Sequence, residues 1–176
     1  MSFEELLVIH ASPTLANMKP ASLVCLNELE GKICSISELE ARGLSFFPIV
    51  NRKGCRLVLV YRKEKLEMAL QNVLSQEILR HFGYSGTLKE MLEHLSTRFL
   101  SEQCPHEVGI FLGYPPEDVQ AFIQNNGKNA VSSDFWKIYF NVEQAEITLR
   151  KWKKCRKKYI ECFLGGTDIT RLCVTA

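Results

Sequence analysis

The 176-residue chain has no CxxC pair, no GxxxxGK[ST] phosphate loop, no HExxH and no GxSxG. The absences remove the standard structural zinc sites, the P-loop nucleotide site, the zinc-protease helix and the hydrolase nucleophile elbow from consideration. No run approaches the roughly 20 apolar residues of a membrane-spanning helix. "MSFEELLVIH" carries Glu4 and Glu5 where a secretory leader would carry positive charge, so no leader is expected. Repeats, low-complexity tracts and linkers are also absent. Net charge is small, +2, but it is polarised. Arg150, Lys151, Lys153, Lys154, Arg156, Lys157 and Lys158 hold seven of the 22 basic residues, and the remainder is acidic, 15 against 20.

What the chain does have is 46% apolar residues, enough at this length to bury a core, and one domain over 1–176 is expected. The seven cysteines are odd in number and scattered. That pattern predicts reduced thiols and a cytoplasmic protein. "GLSFFPIVNRKGCRLVLVYR" predicts a hairpin over 44–61 with its loop at 51–54. Pro48 places the first strand at an edge, and "RLVLVY", apolar on both faces, suits an inner strand covered by helices on both sides. A helical pattern follows Arg62 and breaks near Ser75. Thr87 and Glu90 have capping-box spacing before Leu88, Met91, Leu92, Leu95 and Phe99. Further strands are expected near 135–140 and 171–175. Asn141 is placed to cap a long helix over 142–164, docked on the sheet through Trp152 and its apolar neighbours, which Gly165-Gly166 ends. The fold class predicted is α+β, with a small mixed β-sheet.

"PHEVGIFLGYPPEDV" reads either as a strand and loop or as a helical hairpin over 105–126. Interior Gly109 and Gly113 count against the strand. Pro105 at a first helical position, Gly113 as a left-handed terminator and Pro116 opening the next helix favour the hairpin. Its spacing imitates a helix-turn-helix, but Glu117 and Asp118 would meet DNA phosphates at the reading end, which is repulsive. Architecture, or an interaction surface, is the favoured role.

Candidate chemistry gathers in "HASPTLANMKPASL", where His10, Ser12, Thr14, Lys19 and Ser22 include a base, hydroxyls and an anion binder. The plainer reading makes Ser12-Pro13-Thr14 a cap or turn. His106 is a further candidate if the fold brings it to this segment. Lys153, Lys154, Arg156, Lys157 and Lys158 are polyanion-binding candidates, against the plainer reading of a solvated helix face. Cys104 with His106, and Cys155 with Cys162, lack zinc-site spacing, so no metal is expected. The cofactor is left unassigned. The function expected is binding of a protein partner or small ligand without demonstrable catalysis. The alternatives are an enzyme using His10 to Lys19, and nucleic-acid binding through the basic helix.

"HASPTLANMKPASL", "LVLVYR", "PHEVGIFLGYPPEDVQAFIQNNG" and "WKIYFNVEQAEITLRKWKKCRKKY" together resemble the successive blocks of an uncharacterised family of small clostridial and related bacterial proteins, a domain of unknown function. The resemblance implies one intact bacterial domain and supplies no activity. The family's first block more often reads H-C-A-P-T-L-A-G. Here Ala11 and Asn17 stand where cysteine and glycine are common, so a thiol mechanism is not implied at this place. His10, Pro13, Thr14, Leu15, Ala16 and Lys19 keep the pattern and leave a non-thiol binding role open.

Overall fold

The computed structural model describes residues 1–30, 35–50, 54, 56–101 and 104–175. Its elements begin with α1 (Phe3–Leu15), β1 (Ala21–Cys25), α2 (Ile36–Glu40), β2 (Ser45–Val50) and β3 (Arg56–Tyr61). Helices α3 (Lys63–Gln71), α4 (Val73–His81), α5 (Leu88–Ser101), α6 (Val108–Phe111) and α7 (Pro116–Gln124) follow. The chain closes with β4 (Ser132–Ser133), β5 (Lys137–Ile138), α8 (Val142–Leu164) and α9 (Ile169–Leu172).

β3 is the middle of a sheet ordered β1-β3-β2. It pairs antiparallel with both neighbours, Ala21 and Ser45 both standing opposite Tyr61. The alternation of "RLVLVY" sends Val58 and Val60 to one core and Leu57, Leu59 and Tyr61 to the other. α1 and α9 cover the first face, and helices from α3 to α7 cover the second. The hairpin and the covered inner strand are therefore as the sequence predicts. Pro48 does lie on an edge strand, where a missing ladder donor is tolerated. The expected loop at 51–54 lies, apart from Gly54, outside the described residues, as do Cys34 and Cys55. No helix among the described residues is long and apolar enough to cross a membrane.

The architecture is α+β, but several expectations need correction. The sheet is antiparallel, not mixed, because β3 returns between two earlier strands. Residues 171–175 add no strand. Asp168 caps α9 by accepting from the Thr170 amide at 2.8 Å, and Ile169, Leu172 and Cys173 bury at helical spacing near α1. The Val174 amide then donates to Leu15 O. The 135–140 strand shrinks to β5, which pairs only with β4. Its continuation is diverted because the Tyr139 and Phe140 amides both donate to the Asp118 carboxylate at 2.9 Å. The break expected near Ser75 falls at Asn72, whose side chain caps α4 through the Ser75 amide. α8 packs mainly along α1, with Tyr159, Cys162 and Phe163 against the core on the first face of the sheet, while Trp152 joins a separate group with Trp136, Ile138 and Leu149 rather than that core.

Local predictions hold elsewhere. Thr87 and Glu90 exchange the reciprocal bonds of a capping box. α8 runs over the expected residues and ends with Gly166 at φ +87° and the Thr167 amide on Cys162 O. Asn141 precedes it in a left-handed conformation without a side-chain cap. α6 and α7 form the helical hairpin, but Pro105 lies before the first helical turn rather than in it. Glu107 is buried, accepting from Tyr84 at 3.1 Å and from Arg98 Nε at 2.7 Å.

Candidate active site around Lys19

Ser12, Pro13 and Thr14 continue α1 to its last turn rather than breaking it. Ser12 Oγ donates back to Val8 O, so this hydroxyl is spent inside the helix. Thr14 Oγ1 and Ser22 Oγ, both buried, are bonded to each other at 2.9 Å across α1 and β1. Asn17 then adopts φ +54°, the left-handed region that favours glycine and that asparagine tolerates. The reversal returns the chain under Pro13, whose carbonyl accepts from the amides of Met18 at 2.8 Å and Lys19 at 3.1 Å. Ala11 is fully buried in the core below the sheet and does not line the cavity described next.

Pro20 fixes the other side of Lys19. Its ring lies so close to Gly113 that a Cβ there would come within 2.3 Å of Pro20 Cγ. Gly113 also holds φ +72°, so the terminator of α6 doubles as the seat for the Lys19-Pro20 turn. Gly109 has a matching role, since a Cβ would stand 2.8 Å from Val119 Cγ2. This close approach of α6 and α7 places Tyr114 beside the turn.

Lys19 keeps only 5% of its surface exposed. Its ammonium lies 5.1 Å from the Tyr114 ring centroid and 5.2 Å from that of Trp152. Tyr114 stacks on Trp136 with centroids 5.2 Å apart, and Trp136 and Phe135 both pack edge-on against Trp152. Asp118 anchors this aromatic group by accepting from Trp136 Nε1 at 2.8 Å. Among the described residues the Lys19 ammonium meets the faces of two rings and no hydrogen-bond acceptor, and its nitrogen faces the cavity described next. Burial therefore lowers its pKa to about 7.

Lys19 lines a cavity of about 190 Å³ with His10 and Pro13 of α1, Ser22 of β1, Tyr114, and Arg156 of α8. Three basic side chains share the cavity: Lys19 is buried, Arg156 half-buried and His10 exposed at the rim. Burial, and then the Arg156 guanidinium, push the His10 pKa down, against a smaller upward pull from Glu28. No acidic side chain lines this cavity among the described residues.

The structure thus joins His10, Lys19 and Ser22, turns Ser12 back into its helix, and occupies Thr14 with Ser22. His106 is exposed in a neighbouring cavity of about 470 Å³, its ring edge-on to Phe122. Leu112, Tyr114 and Phe135 form the partition shared by the two cavities. Of the basic-helix candidates, Lys154, Lys157 and Lys158 are exposed and Lys153 pairs with Asp134. Cys155 is a buried free thiol pointing to Ser12 O, and burial lifts its pKa to about 11. No group of three or more metal-ligating side chains occurs among the described residues.

Sequence reasoning missed Tyr114 and Phe135 as walls of the Lys19 cavity, and Trp136 and Trp152 as the aromatics packed with them. "FWKIYF" signals aromatic density, but their convergence comes from three separate elements. It also missed Arg62, which is buried and donates to the carbonyls of Thr14 at 3.0 Å, Leu15 at 2.7 Å, Arg42 at 2.6 Å and Val174 at 2.7 Å. This guanidinium ties the end of α1 to the C-terminal segment, so it fixes the helix that carries His10.

A family model described as a protein of unknown function, DUF3793, matches residues 7–173, and the chain belongs to that family. No curated protein and no solved structure matches it.

Proposed function

We propose that this member of the DUF3793 family binds a small anionic metabolite, carrying a carboxylate or phosphate, in the Lys19 cavity. The observation that carries the reading is a buried lysine whose ammonium meets two ring faces but no hydrogen-bond acceptor among the described residues, opening on a cavity that His10 and Arg156 also line and that no carboxylate lines among the described residues. An isolated buried cation is costly, and an anion entering the cavity offsets that cost while making charge-assisted hydrogen bonds of about 1.5–3 kcal/mol each. At about 190 Å³ the space is smaller than the roughly 300–1,000 Å³ of sites for drug-sized ligands. A compact ligand fits better than a polymer backbone. The apolar side chains of Leu23, Leu112 and Phe135 on the same cavity suit a short carbon skeleton beside the charged group.

The exposed lysines of α8 support the reading in a second way. They share a helix with Arg156, and a predominantly basic helix carrying a cavity residue raises the local concentration of anions. The polyanion-binding candidates thereby acquire a role in steering rather than in nucleic-acid readout.

Calorimetric titration with lactate and with inorganic phosphate, at constant ionic strength, tests the proposal. The expected outcome is saturable binding of at least one of them, weakened tenfold or more by Lys19→Met and by Arg156→Gln. Equal heats for wild type and both variants, or no heat with either anion at millimolar concentration, would contradict it.

A further inference from the structure

We infer that Lys19 is a nucleophile that captures a small oxo acid covalently, as an iminium, with the carboxylate of that acid held by Arg156 and His10. The inference rests on the anion-binding reading above and adds the substrate class. Four features of the site carry it.

The amine is placed where a nucleophile would be: buried, facing a cavity of small-molecule size, and committed to no acceptor among the described residues. A lysine kept only for charge would ordinarily be found paired or snorkelling to water. Second, Nζ lies about equally far from two ring faces, 5.1 Å and 5.2 Å. Those faces attract a cation without neutralising it by proton transfer, and an iminium is a cation at the same place. Third, the basic groups separate by position: one amine is buried, while His10 is exposed and Arg156 half-exposed on the same cavity. A 2-oxo carboxylate offers one group for each kind of wall, an electrophilic carbon for the amine and an adjacent anionic group for Arg156 and His10. Fourth, burial brings the amine to a pKa of about 7, so near neutrality about half of it is the free base. An exposed lysine at the same pH has only on the order of one free amine in a thousand or more.

The step balances as follows. The Nζ lone pair of neutral Lys19 forms the C–N bond while the carbonyl π electrons move to oxygen. Proton transfer from nitrogen to that oxygen gives a neutral carbinolamine. Its hydroxyl accepts one proton from solvent at the open rim beside His10 and leaves as water, and the nitrogen lone pair forms the C=N⁺ bond. One proton is consumed, one water is released, and no oxidant or reductant takes part. The carboxylate of the bound acid balances the iminium charge, and hydrolysis is slowed because water reaches the C=N bond only past the rim.

The test uses the full chain with pyruvate as the probe and lactate as its non-carbonyl counterpart. Incubation with pyruvate and cyanoborohydride at pH 7, followed by intact-mass measurement and peptide mapping, is expected to give one reduced adduct at Lys19. Lys19→Met is expected to remove that adduct, and Arg156→Gln to slow its formation about tenfold or more with the fold intact by circular dichroism. Adducts spread evenly over surface lysines, or an adduct rate unchanged in Arg156→Gln, would overturn the inference. Saturable pyruvate and lactate binding without any Lys19 adduct would overturn the covalent step while leaving the anion site standing. Absence of binding by pyruvate, lactate and inorganic phosphate alike would remove the anion site as well.

Discussion

Replacing Lys19 by methionine is expected to make the protein more stable at neutral pH, not less. Burial moves the ammonium from the ordinary lysine value to about 7. A tenfold change in proton affinity is about 1.4 kcal/mol, so carrying this group costs the folded state up to roughly 4–5 kcal/mol at pH 7. The faces of Tyr114 and Trp152 return about 1–2 kcal/mol of that to the charged form, and methionine, of similar length and apolar, forfeits this part. The net gain expected is therefore about 2–4 kcal/mol, or roughly 5–15 °C in Tm for a chain of this size. The pH dependence has a definite sign. Between pH 7 and the unfolded lysine value near 10.4 the unfolded chain binds more protons than the folded one, so wild-type stability gains from this group as pH rises. Scanning calorimetry at pH 7 and pH 9.5 should show the advantage of Lys19→Met shrinking at the higher value. A variant less stable than wild type at pH 7, or an advantage equal at both pH values, would refute the reasoning.

Substitutions at Gly113, Arg62 and Asp118 test how the site is held. Gly113→Ala forces a Cβ toward Pro20 at a φ of +72° and should destabilise by about 2–4 kcal/mol in urea melts, while Gly166→Ala, with open space around it, should cost about 1 kcal/mol. Arg62→Met removes a guanidinium that serves four carbonyls and should cost about 3 kcal/mol or more, with Arg62→Lys recovering little because a lysine lacks the planar fork. Asp118→Ala takes the acceptor from Trp136 Nε1 and the Tyr139 and Phe140 amides. It should lower stability by about 2–4 kcal/mol and red-shift tryptophan emission as the aromatic group loosens.

Local signals were legible in the chain and long-range ones were not. "RLVLVY" shows a two-faced inner strand because both of its side-chain sets are apolar, and α8 shows itself through Trp152, Cys155 and Tyr159 at helical spacing. The α6-α7 hairpin is written in Gly113 and Pro116, since each demands a particular backbone conformation. "RLCVT" is too short for period alone to decide, and the helix wins through the Asp168 cap and burial near α1. Ser12-Pro13-Thr14 looks like a turn, yet Pro13 so near the end of α1 interrupts little of its ladder, and Ser12 supplies a bond to Val8 O. Within the site, His10 and Lys19 were visible as chemistry, while their isolation from His106 depends on a wall built by Leu112, Tyr114 and Phe135. Asp118 reads in the sequence as a first-turn acid, and only the fold reveals that it anchors the aromatics around Lys19.

The most direct measurement is the titration of the Lys19 Cε and Nζ resonances in protein labelled at lysine, followed by NMR from pH 5 to pH 11 with and without lactate. The account predicts a midpoint near 7 in the free protein, moving upward when the carboxylate is present because an opposite charge favours the ammonium. A midpoint in the ordinary lysine range near 10.4, indifferent to lactate, would contradict it.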